Sequence, residues 1–479
     1  MILNGLKPER VLYYFEQLSM IPRESGNEKA VSDYLVSVAN ELGLEVIQEP
    51  CMNVIIKKPA TAGYESAPKV ILQGHMDMVC TKKEGSAHNF ETDPIELVVD
   101  GDYIRTKDTT LGADNGIAVA MTLAVLEDKT IEHPQITALV TAAEETGMDG
   151  AIGLDPSHVE GDILINLDSE EEGVLLASNA GGANVDITVP VKWISHELPG
   201  AYAITIKGLK GGHSGIEINK MRANAIKLIG RLLEHIDLEK LAVFGVSGGE
   251  KMNAIAKFAT VRVVTDADVD TVMAALEPIE EMFKNEYAVA DPDLSIAFER
   301  IDLPNMIWSD ETLHGVITAM RLIPQGVETM SQSIEGLVES SNNIGVLTSS
   351  DKEIVFVNAV RSSVASLKEE IISRMSIIAN LIESDVKVYA EYPEWAYRLE
   401  SPIRDLMIEV YKEMNGKEML VHAIHAGLEC GLLSEKLGDI DMISLGPEMH
   451  DVHTPNEHLS ISSTERVYTF LLEVLKRIK

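Results

Sequence analysis

The sequence predicts an α/β chain in which a domain built on a largely parallel sheet is interrupted by a second, α+β domain. Three observations carry this. Residues 1–186 alternate short apolar runs with helical stretches, the pattern of buried strands covered by helices. From residue 187 the runs turn to period-two alternation, the mark of strands with one face exposed. After residue 400 the first texture returns. A chain of 479 residues is also too long for one hydrophobic core. The expected division is therefore 1–186 and 400–479 for the first domain, with 187–399 as an inserted domain.

The elements follow in order. Residues 28–42 place Val31, Tyr34, Leu35, Val38 and Leu42 on one helical face, and Gly43 stops the helix. K-V-I-L-Q-G (69–74) is a buried strand, and N-G-I-A-V-A-M-T-L-A-V-L-E-D (115–128) is apolar nearly all round, as a buried helix is. Residues 136–143 and 162–167 are further buried strands. In the insertion, strands over 183–193 and 201–208 precede a helix over 221–235, a strand over 259–265 and a helix over 268–284. A similar order recurs after residue 310: helix 311–321, strands 344–348 and 353–360, helix 366–382, strand 385–392. This suggests a loose internal duplication. Residues 441–446 are a buried strand, and a final helix over 463–478 opens with a capping box from Ser462 to Glu465.

Composition narrows the function. The formal net charge is −36, from 76 acidic and 40 basic residues, which argues against nucleic-acid partners and against an anionic membrane surface. No apolar run approaches transmembrane length, and the opening M-I-L-N-G-L-K-P-E-R does not read as a signal peptide. The three scattered cysteines, Cys51, Cys80 and Cys430, fit a reducing cytoplasm and show no zinc-thiolate spacing.

Ligands of open parallel sheets bind beyond the carboxyl ends of the strands. The polar residues predicted there are His75 and Asp77, Asp114, the pair Glu144 and Glu145, Asp168, and His450, His453 and His458. None of these strand-end stretches delivers Lys or Arg. Such a cluster of anions is costly unless a cation neutralises it. Two divalent ions suit the supply, because carboxylates can bridge, and mixed nitrogen and oxygen donors suit zinc, with Mn²⁺ or Co²⁺ as substitutes. In H-x-D, His75 can ligate while Asp77 orients it. Adjacent residues on an extended chain face opposite ways, so one of Glu144 and Glu145 can hold an ion while the other handles protons on its water.

Those motifs, G-H-M-D-M-V, L-G-A-D-N-G, A-A-E-E-T-G, N-L-D and H-T-P-N-E, in this order resemble the dinuclear zinc aminopeptidase, aminoacylase and carboxypeptidase G superfamily. G-L-K-G-G-H-S-G, S-G-G-E-K-M-N-A-I-A, V-R-S-S-V and I-H-A-G-L-E-C-G resemble its aminoacyl-histidine dipeptidase branch, the Xaa-His dipeptidases or bacterial cytosolic carnosinases. The resemblance spans essentially the whole chain. It implies two zinc ions per subunit: Asp114 bridging, His75 and Asp168 completing one site, Glu145 and His453 the other. It further implies Glu144 as general base and acid, Asp77 orienting His75, and a cis Asp114–Asn115 bond. His213 resembles a lid residue that reaches the scissile carbonyl, often from a partner subunit, and Asn253, Arg361, His425 and Glu429 resemble substrate contacts. The implied activity is hydrolysis of small Xaa-His peptides by a cytoplasmic homodimer. The alternatives are a related metallo-deacylase or tripeptidase and, in another class, a non-catalytic metal-dependent peptide-binding protein.

Overall fold

The computed structural model describes residues 2–479. The chain divides into two compact units. The first comprises the residues up to Ser178 together with Ala396–Ala423 and Leu428–Lys479; the second comprises Asn179–Trp395 together with Ile424–Gly427. The short return Ile424–Gly427 groups with the second unit, where Ala180 N–H donates to Ile424 O at 3.1 Å.

The first unit holds an eight-stranded sheet in the order Glu45–Gln48, Val54–Lys58, Ile136–Thr141, Val70–His75, Ile163–Asn166, Asp441–Ser444, Val174–Asn179, Leu420–Ile424. Its four central strands, Ile136–Thr141 through Asp441–Ser444, pair in parallel. Antiparallel strands flank them, so the sheet is mixed, with a parallel centre. Every residue of the four central strands is buried, which is why they read as continuous apolar runs. Their carboxyl ends lie at one edge, and the polar residues that follow them are delivered together.

The helix Ala113–Glu127 packs against Val70–His75 and against the helix Glu9–Ser19. Gly74 permits that approach: a Cβ there would stand 2.4 Å from Asn115 Oδ1 and 2.8 Å from Ala118 Cβ. Asp114 and Asn115 are not helical (ψ 105° and 26°), and the bond between them is cis. Asn115 accepts from His75 N–H (3.2 Å) and donates to Leu167 O (3.0 Å), tying two strand ends together.

The last helix runs Ile461–Arg477. Its N-cap is Ser460, whose Oγ accepts from Ser463 N–H at 3.2 Å, and not Ser462. Asp102 decides this, since its carboxylate accepts from Ser460 Oγ, Ser462 Oγ and Ser462 N–H.

The second unit is a nine-stranded antiparallel sheet with four helices, Ala225–His235, Val269–Glu286, Asp310–Leu322 and Ala365–Leu381. Its core joins strand residues such as Val185, Ile204, Val261 and Phe356 to Ile226, Leu276, Val316 and Ile371 of those helices. The change of texture expected at residue 187 falls inside the strand Gly181–Pro190. The helix expected from 221 begins at Ala225, because Asn224 caps it by accepting from Ile226 N–H at 3.0 Å. Among the described residues no helix is long and apolar enough to cross a membrane.

Candidate metal centre

The first unit brings His75, Asp114, Glu144, Glu145, Asp168 and His453 together. Donor atoms of His75, Asp114 and Asp168 lie within 4.8 Å of one another, as do those of Asp114, Glu145 and His453, and of His75, Glu144 and Glu145. Asp114 is common to the first two groups and faces each with a different oxygen: Oδ1 is 3.2 Å from His75 Nε2, and Oδ2 is 3.0 Å from His453 Nε2. Each imidazole nitrogen also faces a second carboxylate. His75 Nε2 is 3.5 Å from Asp168 Oδ1, and His453 Nε2 is 3.0 Å from Glu145 Oε1.

One N–H cannot serve two acceptors equally, and Glu145 Oε1 is buried without a hydrogen-bond partner. A divalent cation meets that deficit, because it accepts several oxygens and nitrogens at once. The donor set therefore fits a pair of such ions sharing Asp114.

Glu144 and Glu145 are not on an extended chain, contrary to the sequence reading. They open a single helical turn, Glu144–Gly147, after Ala143 in the left-handed region (φ 53°). The carboxylate of Asp77 holds that turn, accepting from Glu144 N–H (3.1 Å), Glu145 N–H (3.3 Å) and Ser25 Oγ (2.7 Å). Asp77 Oδ1 also lies 3.3 Å from His75 Nδ1, a close approach without hydrogen-bond geometry. Asp77 thus touches His75 on one side and fixes the double-Glu turn on the other.

Electrostatics follows from this crowding. Burial pushes the Glu144 carboxyl up to about 9, helped by the charges of Asp168, Glu429 and Glu145. Burial likewise raises Asp168 to about 6 and Glu429 to about 7. Burial opposes charging of His75, but Asp168, Asp114 and Asp77 outweigh it and hold the imidazolium well above its usual range. The carboxylates of Asp114 and Glu145 close to its Nε2 raise His453 to about 11. Asp114 is held well below the usual carboxylate range: burial opposes this, and the two imidazoles overcome it. Asp77 is likewise held at about 2, where His75, Ser25 and the Glu144 N–H overcome burial.

Glu429 is fully buried, with Oε2 accepting from Gln73 Nε2 (2.7 Å) and Thr141 Oγ1 (2.6 Å) while Oε1 has no partner. Of the other two histidines in the last loop, His450 is exposed beside Glu448 and His458 packs on Tyr103, away from the cluster.

Two residues that the sequence reading gave no role shape the centre. Glu457 accepts four successive N–H bonds, from Leu111 (2.7 Å), Gly112 (3.0 Å), Ala113 (2.8 Å) and Asp114 (3.3 Å). It ties the loop of His453 to the loop of Asp114. Buried Arg23 donates to Met76 O and Asp77 O, both at 3.0 Å, and to Gly112 O. Glu457 was at least visible within H-T-P-N-E; Arg23 recognises carbonyls and leaves no side-chain pattern to find.

The remaining predicted residues lie in the second unit. His213 Nδ1 accepts from Gly215 N–H and Ile216 N–H, both at 3.2 Å, which leaves the proton of the neutral ring on Nε2. Ser214 N–H donates to Asn253 O at 2.9 Å. Asn253 and Arg361 line one cavity of about 470 Å³. His425 Nε2 is 2.7 Å from Ser341 Oγ, and burial, with the charge of Arg361, lowers its proton affinity to about 3.

Comparison with known proteins agrees along the whole chain. Residues 71–477 match the model of peptidase family M20/M25/M40. The cytosol non-specific dipeptidase of Escherichia coli (strain K12) is 36% identical over 482 residues, covering 99% of each chain. The crystal structure of aminoacylhistidine dipeptidase from Vibrio alginolyticus superposes with a TM-score of 0.94 at 35% identity, covering 100% of this chain and 98% of that one. The aminopeptidase PepT from Bacillus cereus ATCC 10987, at 16% identity, a TM-score of 0.57 and 99% coverage of both chains, shares the fold. The chain belongs to peptidase family M20/M25/M40 and is a hydrolase of that class.

Proposed function

We propose that this protein is a metal-dependent dipeptidase that acts on Xaa-His dipeptides such as β-alanyl-histidine. The observation that carries the reading is one buried carboxyl, Glu144, beside a two-site donor set that shares Asp114. The names of the Escherichia coli and Vibrio alginolyticus relatives support a dipeptide substrate.

In this reading His75, Asp114 and Asp168 hold one ion, and Asp114, Glu145 and His453 the other. Zinc is the preferred ion, with Mn²⁺ or Co²⁺ as substitutes. Bound there, such ions supply Lewis-acid activation of water and of the scissile carbonyl. Glu144 removes the proton of the attacking water and returns it to the leaving amine. Burial raises its proton affinity above that of a free glutamate, and the nearby ions would lower it again, which brings it toward the range a proton shuttle needs. Asp77 keeps His75 and the Glu144 turn in place. His213 is kept neutral by burial and by Arg361, and offers Nε2–H to the carbonyl oxygen as charge develops there. Arg361 and Asn253 bind the substrate, with His425 and Glu429 shaping the groups around it. A cytosolic homodimer is part of the same reading.

The test is hydrolysis by metal-reconstituted protein, with chelated protein as control. The panel holds Xaa-His dipeptides, other dipeptides, tripeptides and N-acyl amino acids. Metal-dependent turnover with the highest kcat/KM on Xaa-His dipeptides is expected. A preference for N-acyl amino acids or tripeptides would replace the dipeptidase reading, and binding without turnover would replace catalysis altogether.

A further inference from the structure

Three residues of the second unit form a row across neighbouring strands. Arg361, on Glu353–Ser362, stands opposite Gly182, on Gly181–Pro190, and Gly182 stands opposite Tyr392, on Asp385–Tyr392. Residues paired in register on adjacent strands point to the same face of a sheet. The middle residue has no Cβ, so its neighbours meet above it: Arg361 Nη1 donates to Tyr392 Oη at 2.8 Å. A Cβ at Gly182 would lie 2.5 Å from Tyr392 Oη and 2.6 Å from its Cζ, which the ring cannot tolerate where it stands.

A bulge sets this row. Tyr389 pairs with Asn184, but the next pairing joins Tyr392 to Gly182, so one extra residue is taken up on the outer strand. Ala390, at φ 50°, sits within it. Bulges re-aim side chains in this way. A regular strand would put Glu391 opposite Gly182, and so place a carboxylate next to Arg361. The bulge puts a neutral phenol there instead. Among the described residues Arg361 has no ion-pair partner, and its Nε is buried without a hydrogen bond. It lines the cavity of about 470 Å³ together with Asn184, Lys251 and Asn253, none of which is an anion. The cation is thus held toward a cavity and kept from any carboxylate of its own chain.

We propose that Tyr392, Gly182 and the bulge at Ala390 are a positioning device that holds the Arg361 guanidinium toward the cavity it lines, where it meets the free carboxylate of a peptide substrate. The proposal rests on the dipeptidase reading above and adds the residues that hold Arg361 there. Tyr392 acts through Arg361 and touches no reacting atom.

The experiment compares metal-loaded wild type, Tyr392→Phe and Gly182→Ala on β-alanyl-L-histidine and on its C-terminal carboxamide. Loss of the one bond should raise KM for the acid about five- to tenfold, with kcat within about twofold and KM for the amide unchanged. Gly182→Ala should show the same selective loss, with thermal unfolding reporting that the fold is kept. An equal rise for acid and amide in Tyr392→Phe would show a merely structural role and overturn the proposal. Wild type that turns over acid and amide equally well would also overturn it. If wild type hydrolyses neither, the dipeptidase reading fails on its own. Calorimetric binding of the same two probes then decides: a preference for the acid that Tyr392→Phe abolishes upholds the device, and no preference in wild type refutes it.

Discussion

Loading the metal-free protein with a divalent ion at pH 7 should expel between two and three protons per chain. His75, held well above its usual range, and His453, raised to about 11, each carry a proton at that pH. Both present Nε2 to carboxylates of the cluster, and a nitrogen that binds a cation gives up its proton. The imidazoles alone therefore account for two. Asp168, at about 6, adds on the order of a tenth of a proton. Glu144, at about 9, starts protonated and supplies the third if the nearby positive charge displaces its proton. The assay is titration calorimetry of chelator-stripped protein with Mn²⁺ or Zn²⁺ in buffers of different ionisation enthalpy, where the slope of heat against that enthalpy counts protons. Metal affinity should also climb steeply between pH 6 and 8. A slope below one proton per chain at full occupancy would refute the reasoning, because the two histidines then could not be charged before binding and ligands after it.

Glu144→Gln should keep its metal and lower kcat about 10²- to 10⁴-fold, measured as metal content beside steady-state turnover; loss of metal instead would make Glu144 a ligand rather than a base. Glu457→Gln replaces a carboxylate that accepts four N–H bonds from residues 111–114, and should weaken metal binding about 10- to 100-fold in chelator competition. Unchanged affinity would show that the loop of Asp114 is held by other means. The metal-free protein should lose thermal stability as pH rises from 5 to 9. A free glutamate ionises near 4.5, whereas folded Glu144 and Glu429 keep their protons to about 9 and about 7, so the folded state binds more protons than the unfolded chain across that window and stability falls with pH. His453 acts in the same direction, being charged and paired up to about 11 where a free histidine discharges near 6.5. Differential scanning calorimetry should find a lower Tm at pH 9 than at pH 5, and a rise over that range would contradict the assignment.

Strand ends were readable in the sequence because each central strand is an apolar run that stops at a polar residue. Val70–His75, Ile136–Thr141, Ile163–Asn166 and Asp441–Ser444 all obey this, and parallel pairing then puts those ends at one edge. The separation of Glu144 from Glu145 was not readable. It depends on a left-handed Ala143 and on Asp77, 67 positions away, accepting the two N–H groups. Arg23 escaped altogether, and Glu457, although it stands in H-T-P-N-E, was given no role, because both bind main-chain groups, which every residue owns. The capping box at Ser462 met the local rule, yet Ser460 won through a carboxylate 358 positions away. The antiparallel flanks escaped too: Glu45–Gln48 and Val54–Lys58 are short and carry charges, and only their pairing partners reveal them as strands.

The place of Asp441–Ser444 in the middle of the first sheet has a consequence for biosynthesis. Its parallel neighbour, Ile163–Asn166, leaves the ribosome tens of seconds earlier at about 5–20 residues per second. Until the late strand arrives, that edge stands open to mispairing with other nascent chains. His453 and Glu457 are made later still. On the proposed reading, a chain interrupted before residue 453 lacks a donor of the metal set, and one interrupted before residue 457 lacks the carboxylate that ties down the Asp114 loop, so neither completes the centre.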